Sequence, residues 1–309
     1  MSIIGSFAQH TAAALRCALD RTAFILGAAG WITAGAFSTA DAQSTPASNV
    51  PKSAFFMGLG GSYNSANFGT QNVFAQGDSA IFLDDVLVAV GSAGGPANPL
   101  MDTQSTLAPV AQLGYFQHFA NSKWLWGAKF SYSYLDATSA KDNVVVPQVG
   151  SFTSSTPDTF TGNVVIGSYR ASINHQMALM PFIGHSFEKS FIYLGAGLSL
   201  SQAQTKLANV IGFAAINGTH VNITGTPASF SSSPWVLGGA AVIGGTYFFA
   251  PSWFLDFSYR YDMTQNRKSN FAGPFMSTTD GYDDIGILSG NYSGRVITQA
   301  LTVSINNAF

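Results

Sequence analysis

The sequence predicts an all-β fold: a transmembrane up-and-down barrel of eight antiparallel strands, with long extracellular loops and short periplasmic turns. Three observations predict it. Only 9% of the 309 residues are charged, against roughly a quarter in an average soluble protein, yet beyond about the first 40 residues no run of about 20 apolar residues offers a spanning helix. Second, an aromatic, a short polar turn and another aromatic recur between alternating segments. Phe119 and Trp124 flank Ala-Asn-Ser-Lys, Phe187 and Phe191 flank Glu-Lys-Ser, and Phe249 and Trp253 flank Ala-Pro-Ser. This places an aromatic girdle where both strands of a tight hairpin leave a bilayer. Third, residues 295–309 alternate, apolar at most odd positions from Ile297 and small or polar at the even ones, over about the length a tilted strand needs to cross.

The bulk numbers narrow the partners as well as the fold. Hydrophobic residues make up 47% of the chain, too many for disorder. A net charge of −2 without a basic stripe argues against nucleic acid, whose phosphates need neutralising cations. Residues 1–42 read as a removable export signal. Arg16 and Arg21 precede an apolar run over 23–37, and Ala40-Asp41-Ala42 has the small-x-small form of a cleavage site. The single cysteine, Cys17, lies inside that signal, so the exported chain carries no thiol, which suits an oxidising periplasm. Residues 43–52, rich in Ser, Pro and Asn, are expected to form a periplasmic linker, leaving 53–309 for the barrel.

The first strand, 53–64, puts Phe55, Met57, Leu59 and Tyr63 toward lipid and Gly58, Gly60, Ser62 and Asn64 inward. Over 107–119, Leu107, Ala111, Leu113, Tyr115 and Phe119 face out. Over 124–136 the outward set is Trp124, Trp126, Ala128, Phe130, Tyr132 and Tyr134, with Lys129, Ser131 and Ser133 inside. The fourth strand, 167–187, carries Arg170, Ser172, Asn174 and Gln176 inward. Pro181 has no N–H for the ladder, so a bulge is expected there. Over 191–201, Ile192, Leu194, Ala196, Leu198 and Leu200 face out, opposite Tyr193, Gly195, Gly197 and Ser199. Residues 235–249 and 253–262 form the next hairpin, with Asp256, Ser258 and Arg260 inward on its second strand. The last strand, 295–309, is expected to pair back onto the first, which removes both free edges. The other connections, roughly 65–105, 137–163, 202–233 and 263–293, are long and rich in Ser, Thr, Asn, Gly and Pro and are expected to be extracellular loops. Since 81–90 and 211–224 also alternate, ten strands is the structural alternative.

Residues 235–261 resemble the penultimate hairpin of the opacity-type, OmpA-like outer-membrane β-barrel proteins, the small barrels grouped as porin family proteins. The likeness lies in Trp235, the small residues after it, an aromatic near the turn, Trp253 beyond it, and Tyr259 and Tyr261. Residues 187–197 are similar to that family's central hairpin. Gly244 to Thr246 departs, where many members carry an acidic residue. The ending resembles the C-terminal signature that the barrel-assembly machinery recognises in bacterial outer-membrane proteins; Leu301, Val303, Ile305 and Phe309 fit it and Asn307 departs. The resemblance implies an integral protein of the Gram-negative outer membrane, exported through the periplasm, in a family whose roles range from surface adhesion and envelope stability to narrow pores. Outer-membrane lipid and lipopolysaccharide are its expected surroundings, and a monomer its expected state.

Four inward charges are the candidate lumen residues: Lys129, Arg170, Asp256 and Arg260. An eight-strand interior is about filled by side chains, and charges buried there need partners, so a closed ion-pair network is favoured over a narrow diffusion pore. A lipid-modifying enzyme of the outer leaflet would need a base beside a nucleophile. His118 and His185, the latter beside Ser186 and Glu188, fall at the periplasmic turns, while His175 and His220 have no Ser/Asp partner by spacing. No enzyme activity and no cofactor is therefore expected. The acidic groups at Asp84-Asp85 and at Asp280, Asp283 and Asp284 match no complete calcium loop, and no metal site is expected. Phe271, Phe275, Tyr282 and Tyr292 either contact a surface ligand of unknown identity or pack the last loop on itself.

Overall fold

The computed structural model describes residues 50–153, 158–216 and 219–309, so the expected export signal and most of the linker lie outside the described residues. Strands follow one another almost without interruption: β1 (Ser53–Asn67), β2 (Asn72–Leu83), β3 (Val86–Ala97), β4 (Thr103–His118), β5 (Trp124–Thr153), β6 (Asp158–Ser186), β7 (Ser190–Ile216), β8 (Thr219–Asn222), β9 (Ala228–Ser232), β10 (Trp235–Ala250), β11 (Trp253–Thr264), β12 (Arg267–Thr279), β13 (Tyr282–Gly294) and β14 (Ile297–Ala308). Eight of them close a ring of antiparallel neighbours, β1, β4, β5, β6, β7, β10, β11 and β14. The last strand returns to the first, with Tyr63 opposite Leu301 and Leu59 opposite Ile305. Phe55 and Phe309 each donate a backbone N–H to the other's carbonyl, at 3.0 and 2.9 Å. No strand edge is left in the ring.

The ring is apolar outside. Phe55, Met57, Leu59 and Tyr63 of β1, Leu194 and Leu198 of β7, Phe257 of β11 and Leu301, Val303 and Ile305 of β14 all face outward and exposed. The inner face carries Ser131, Ser133, Gln176, Asp256, Arg260, Ser304 and Asn306, all buried. In water such an exterior would be an association surface; against lipid it is the favourable arrangement. At about 3.3 Å per residue and a tilt of about 40°, Trp253 to Met263 covers about 25 Å of membrane normal, the height of an outer-membrane hydrocarbon band.

Three ring strands do not stop there. β5, β6 and β7 run for 30, 29 and 27 residues, far beyond the roughly 9–11 that a crossing needs. Their upper halves join the hairpins β2–β3 and β12–β13 in the order β12, β13, β2, β3, β5, β6, β7, with β8 and β9 on β7. The two ends of that sheet meet. A bridge joins Gly225 to Met276, Ser277 Oγ donates to the Asn222 carbonyl at 3.0 Å, and the rings of Phe230 and Phe271 lie 4.7 Å apart. The stretches expected to be loops therefore form a second, upper β-barrel with its own core, among it Leu135, Val146, Ile166, Tyr169, Phe271, Phe275 and Tyr292. The additional hairpins pair above the ring instead of entering it, so the membrane barrel has eight strands and not ten.

Two details of phase differ from the sequence expectation. The bulge expected at Pro181 is absent: Leu179 opposite Leu198 and Phe182 opposite Gly195 keep one register across it. The irregularity lies instead between Ile173 and Gln176, facing another between Tyr134 and Ala137 on β5. An extra residue inverts the alternation above it. Tyr169 consequently turns into the upper core, and Arg170 is exposed on the outer wall and does not belong to the lumen set.

Candidate functional site: the barrel lumen

The periplasmic end of the lumen is shut by aromatic rings. Phe56, Phe116, Phe182, Phe191, Phe248 and Phe254 come from six different strands and are buried together with Leu125 and Met180. Phe248 and Phe254 stand 4.8 Å apart, Phe116 and Phe191 5.1 Å, and Phe56 and Phe254 5.5 Å, separations at which aromatic pairs attract beyond their area burial. Phe191 thus corrects the girdle expected from the turns. The connection is a tight one, with the Phe187 N–H donating to the Ser190 carbonyl at 2.7 Å, so β7 starts early and its odd positions 191 and 193 point inward. The other girdle residues, Phe119, Trp124, Phe187, Phe249 and Trp253, face outward at the periplasmic end.

Above the plug lies a polar layer. Lys129 Nζ sits 2.9 Å from Asp256 Oδ2 and donates to Tyr193 Oη at 2.6 Å; Tyr193 Oη in turn donates to Asp256 Oδ1 at 2.7 Å. The ammonium also lies 4.8 Å from the centre of the Tyr193 ring. Gln112 Nε2 reaches Asp256 Oδ2, Ser304 Oγ and Asn306 Oδ1 at 3.2, 2.7 and 2.6 Å, tying β4 to β11 and β14. Room for the Tyr193 phenol comes from Gly244, where an added Cβ would stand 2.5 Å from Tyr193 Oη. The missing side chain at Gly244 thus accommodates a tyrosine from the neighbouring strand.

One layer higher, Arg260 spends its guanidinium on three partners. Nε donates to Asp262 Oδ2, Nη1 to Ser131 Oγ and Nη2 to Gln176 Oε1, each at 2.7 Å. Gln176 Nε2 passes the chain on to Ser201 Oγ at 3.2 Å. The two ion pairs, Lys129–Asp256 and Arg260–Asp262, cancel in charge, and all four residues are buried. A buried charge is tolerated when paired and hydrogen-bonded, and each of these is.

No family model and no curated protein matches the chain. Among solved structures it is similar to the outer membrane protein OprG from Pseudomonas aeruginosa, at 13% identity over 84% of this chain and 98% of that one, with a TM-score of 0.36. It is also similar to Ail, the attachment invasion locus protein of Yersinia pestis, crystallised with a heparin analogue, at 14% identity over 76% of this chain and 98% of that one (TM-score 0.25). A third likeness is to Neisserial surface protein A, at 11% identity over 79% and 99% (TM-score 0.27).

Three of the four lumen charges read from the sequence, Lys129, Asp256 and Arg260, are brought together, and Arg170 is not. Asp262 was missed, although it shares the inward phase of Asp256, Ser258 and Arg260 and stands where the strand was expected to end. Gln112 and Tyr193 have no sequence signal beyond their inward phase. Leu301, Val303 and Ile305 face outward on β14, and Phe309, just after it, is exposed. His118 Nδ1 lies 3.1 Å from the Lys52 carbonyl, His185 packs between Trp124 and Phe187, and His175 Nδ1 lies 2.8 Å from Tyr132 Oη; the His220 side chain is outside the described residues. Among the acidic residues, Asp284 accepts from Ser79 Oγ at 2.5 Å and Asp283 from Thr278 Oγ1 at 2.6 Å.

Proposed function

We propose that the chain is an integral outer-membrane protein, monomeric and non-enzymatic, whose closed membrane barrel anchors the upper barrel as a surface-recognition or envelope-structural element. The observation that carries this reading is the filling of the lumen in three successive layers: the phenylalanine plug, the Lys129–Tyr193–Asp256 layer, and the Arg260 layer beneath the upper core. Asp256 accepts from Lys129, Tyr193 and Gln112 on three other strands, and Arg260 donates to Ser131 on β5 and Gln176 on β6, so ions would have to break these contacts to pass. The closed ring supports a monomer, because no ring strand offers a free edge to another chain. The resemblance of 235–261 to the opacity-type, OmpA-like barrels supports the outer membrane as the location and the barrel-assembly machinery as a biogenesis partner.

Planar-bilayer recording of the refolded chain from Gln43, after heat-modifiable gel migration has verified folding, tests the reading. An electrically silent barrel is expected. Reproducible open steps would overturn it in favour of a narrow diffusion pore and make Lys129, Asp256, Arg260 and Asp262 its selectivity residues.

A further inference from the structure

The hairpin β2–β3 and the strand β13 beside it carry an exposed apolar patch on the outer wall of the upper barrel. Ile285 on β13 faces Ala80 on β2, which faces Val90 on β3; one row higher Phe82 faces Leu87, and Ile287 lies one row lower. Residues two apart on a strand share a face, so these six side chains stand together. Ile285, Ile287, Leu87 and Val90 are 45, 53, 53 and 44% exposed. Apolar side chains grouped in this way on a wall that faces water mark an interaction site. Ile287 is seven positions above Gly294, where β13 ends, roughly 20 Å along the strand and clear of the hydrocarbon edge.

The charge around the patch has one sign. Asp283 shares the row of Phe82, and Asp78 the row of Ile287, both on the outward face. Asp84, Asp85 and Asp280 are exposed at the two turns above, all with positive φ. No lysine or arginine lies on β2, β3 or β13, or on β12 beyond Lys268, and none of these carboxylates forms an ion pair among the described residues. The Thr278 hydroxyl donates to Asp283 at 2.6 Å and the Gln76 amide to Asp78 at 3.0 Å, which orients both carboxylates without cancelling their charge. An apolar row bordered by acids above and below complements a segment with one apolar and one cationic face. We propose that this patch binds a cationic amphipathic peptide segment, its apolar side on Ile285, Leu87 and Val90 and its basic side chains on the flanking aspartates. The proposal rests on the surface-recognition reading of the upper barrel and names the chemistry of the partner. Three strands span about 10 Å, close to the rise from i to i+7 of a helix, so one helical face fits the patch. A second copy of the chain would set aspartate against aspartate, and an anionic leaflet would be repelled in the same way.

The test is fluorescence anisotropy of a labelled peptide of about 14 residues, leucine and lysine in amphipathic helical spacing. It is titrated with the folded full-length protein held in a nonionic amphipol, which leaves no free micelles to absorb peptide. Binding that weakens about tenfold between about 50 and about 300 mM salt is expected. Leu87→Ser/Ile285→Ser/Ile287→Ser should weaken it about thirtyfold, at about threefold per side chain. Asp78→Asn/Asp84→Asn/Asp85→Asn/Asp280→Asn should weaken it about fifteenfold at low salt, at about twofold per charge, and flatten the salt dependence. Asp142→Asn/Val145→Ser, on β5 outside the patch, should leave it unchanged. Should the triple serine variant fail the heat-modifiability check, Leu87→Ser alone carries the test, with about a threefold loss expected. Equal binding of the same peptide with glutamate in place of lysine, or no loss in the serine variant that folds, overturns the proposal. So does a dimer by light scattering that the serine variant makes monomeric, which would mark the patch as a contact between copies of the chain. Conductance is read separately: a silent barrel that does not bind the peptide overturns this proposal alone, and open steps from a protein that binds it overturn the closed-barrel reading alone.

Discussion

Asp256 holds the lumen together by accepting from three directions: the Lys129 ammonium, the Tyr193 phenol and the Gln112 amide. Replacing it with Asn leaves Lys129 buried without its counter-charge. Breaking a buried pair from one side costs about 3–5 kcal/mol, because the remaining ion stays desolvated. Asp256→Asn should therefore lower the stability of the folded barrel by that amount in urea titrations within micelles. Lys129→Met combined with Asp256→Leu should cost much less, since it removes both ions and lets the layer pack as an apolar one. If the single and double variants are equally destabilised, the pair is not the unit of stability in this layer.

At the scale of strands, the sequence was legible wherever alternation ran unbroken. β1, β4, β11 and the membrane part of β7 were each placed with the correct face inward, because one slip would have put a whole apolar set into the lumen. β6 was not, since the irregularity at Asn174 and His175 has no marker comparable to Pro181. The upper barrel was hidden by composition. Its glycines read as loop residues, whereas Gly286 and Gly290 lie opposite Phe275 and Phe271, and an added Cβ would stand 2.3 and 2.5 Å from those rings. They are strand positions kept bare so that aromatic side chains can cross the neighbouring strand. The β2–β13 pair also carries a pH signature. Burial raises the pKa of Asp284 above the ordinary carboxylate value, and the hydrogen bond from Ser79 only partly opposes this. The folded pair then binds a proton more tightly than the unfolded one. Its stability is greatest below the unfolded pKa of about 3.9 and falls as pH rises through the raised folded value. Amide exchange in β2 and β13, corrected for intrinsic rates, should be slower at pH 4 than at pH 7, and Asp284→Asn should remove the difference.

For the whole molecule, the two barrels share β5, β6 and β7 but close independently. β11 pairs directly with β14 from Trp253 opposite Asn307 to Met263 opposite Ile297, so the ring needs nothing from the hairpin between them. That hairpin, β12–β13, is joined to the rest of the upper sheet through β2 and, at the opposite end, through Gly225 and Phe230. It also supplies Phe271, Phe275, Leu288 and Tyr292 to the upper core. Replacing residues 267–294 with a short Gly/Asn turn should consequently have opposite effects on the two halves. The membrane barrel should still insert and keep its heat-modifiable migration, since its ladders and its lumen contacts are intact. The upper barrel should lose its core, and limited proteolysis should then cut within β2, β3 and the upper part of β7 while sparing the segments between the girdle and the rim. A shortened protein that no longer folds in the membrane would show instead that the upper barrel is required to assemble the ring, and the two would have to be treated as one folding unit.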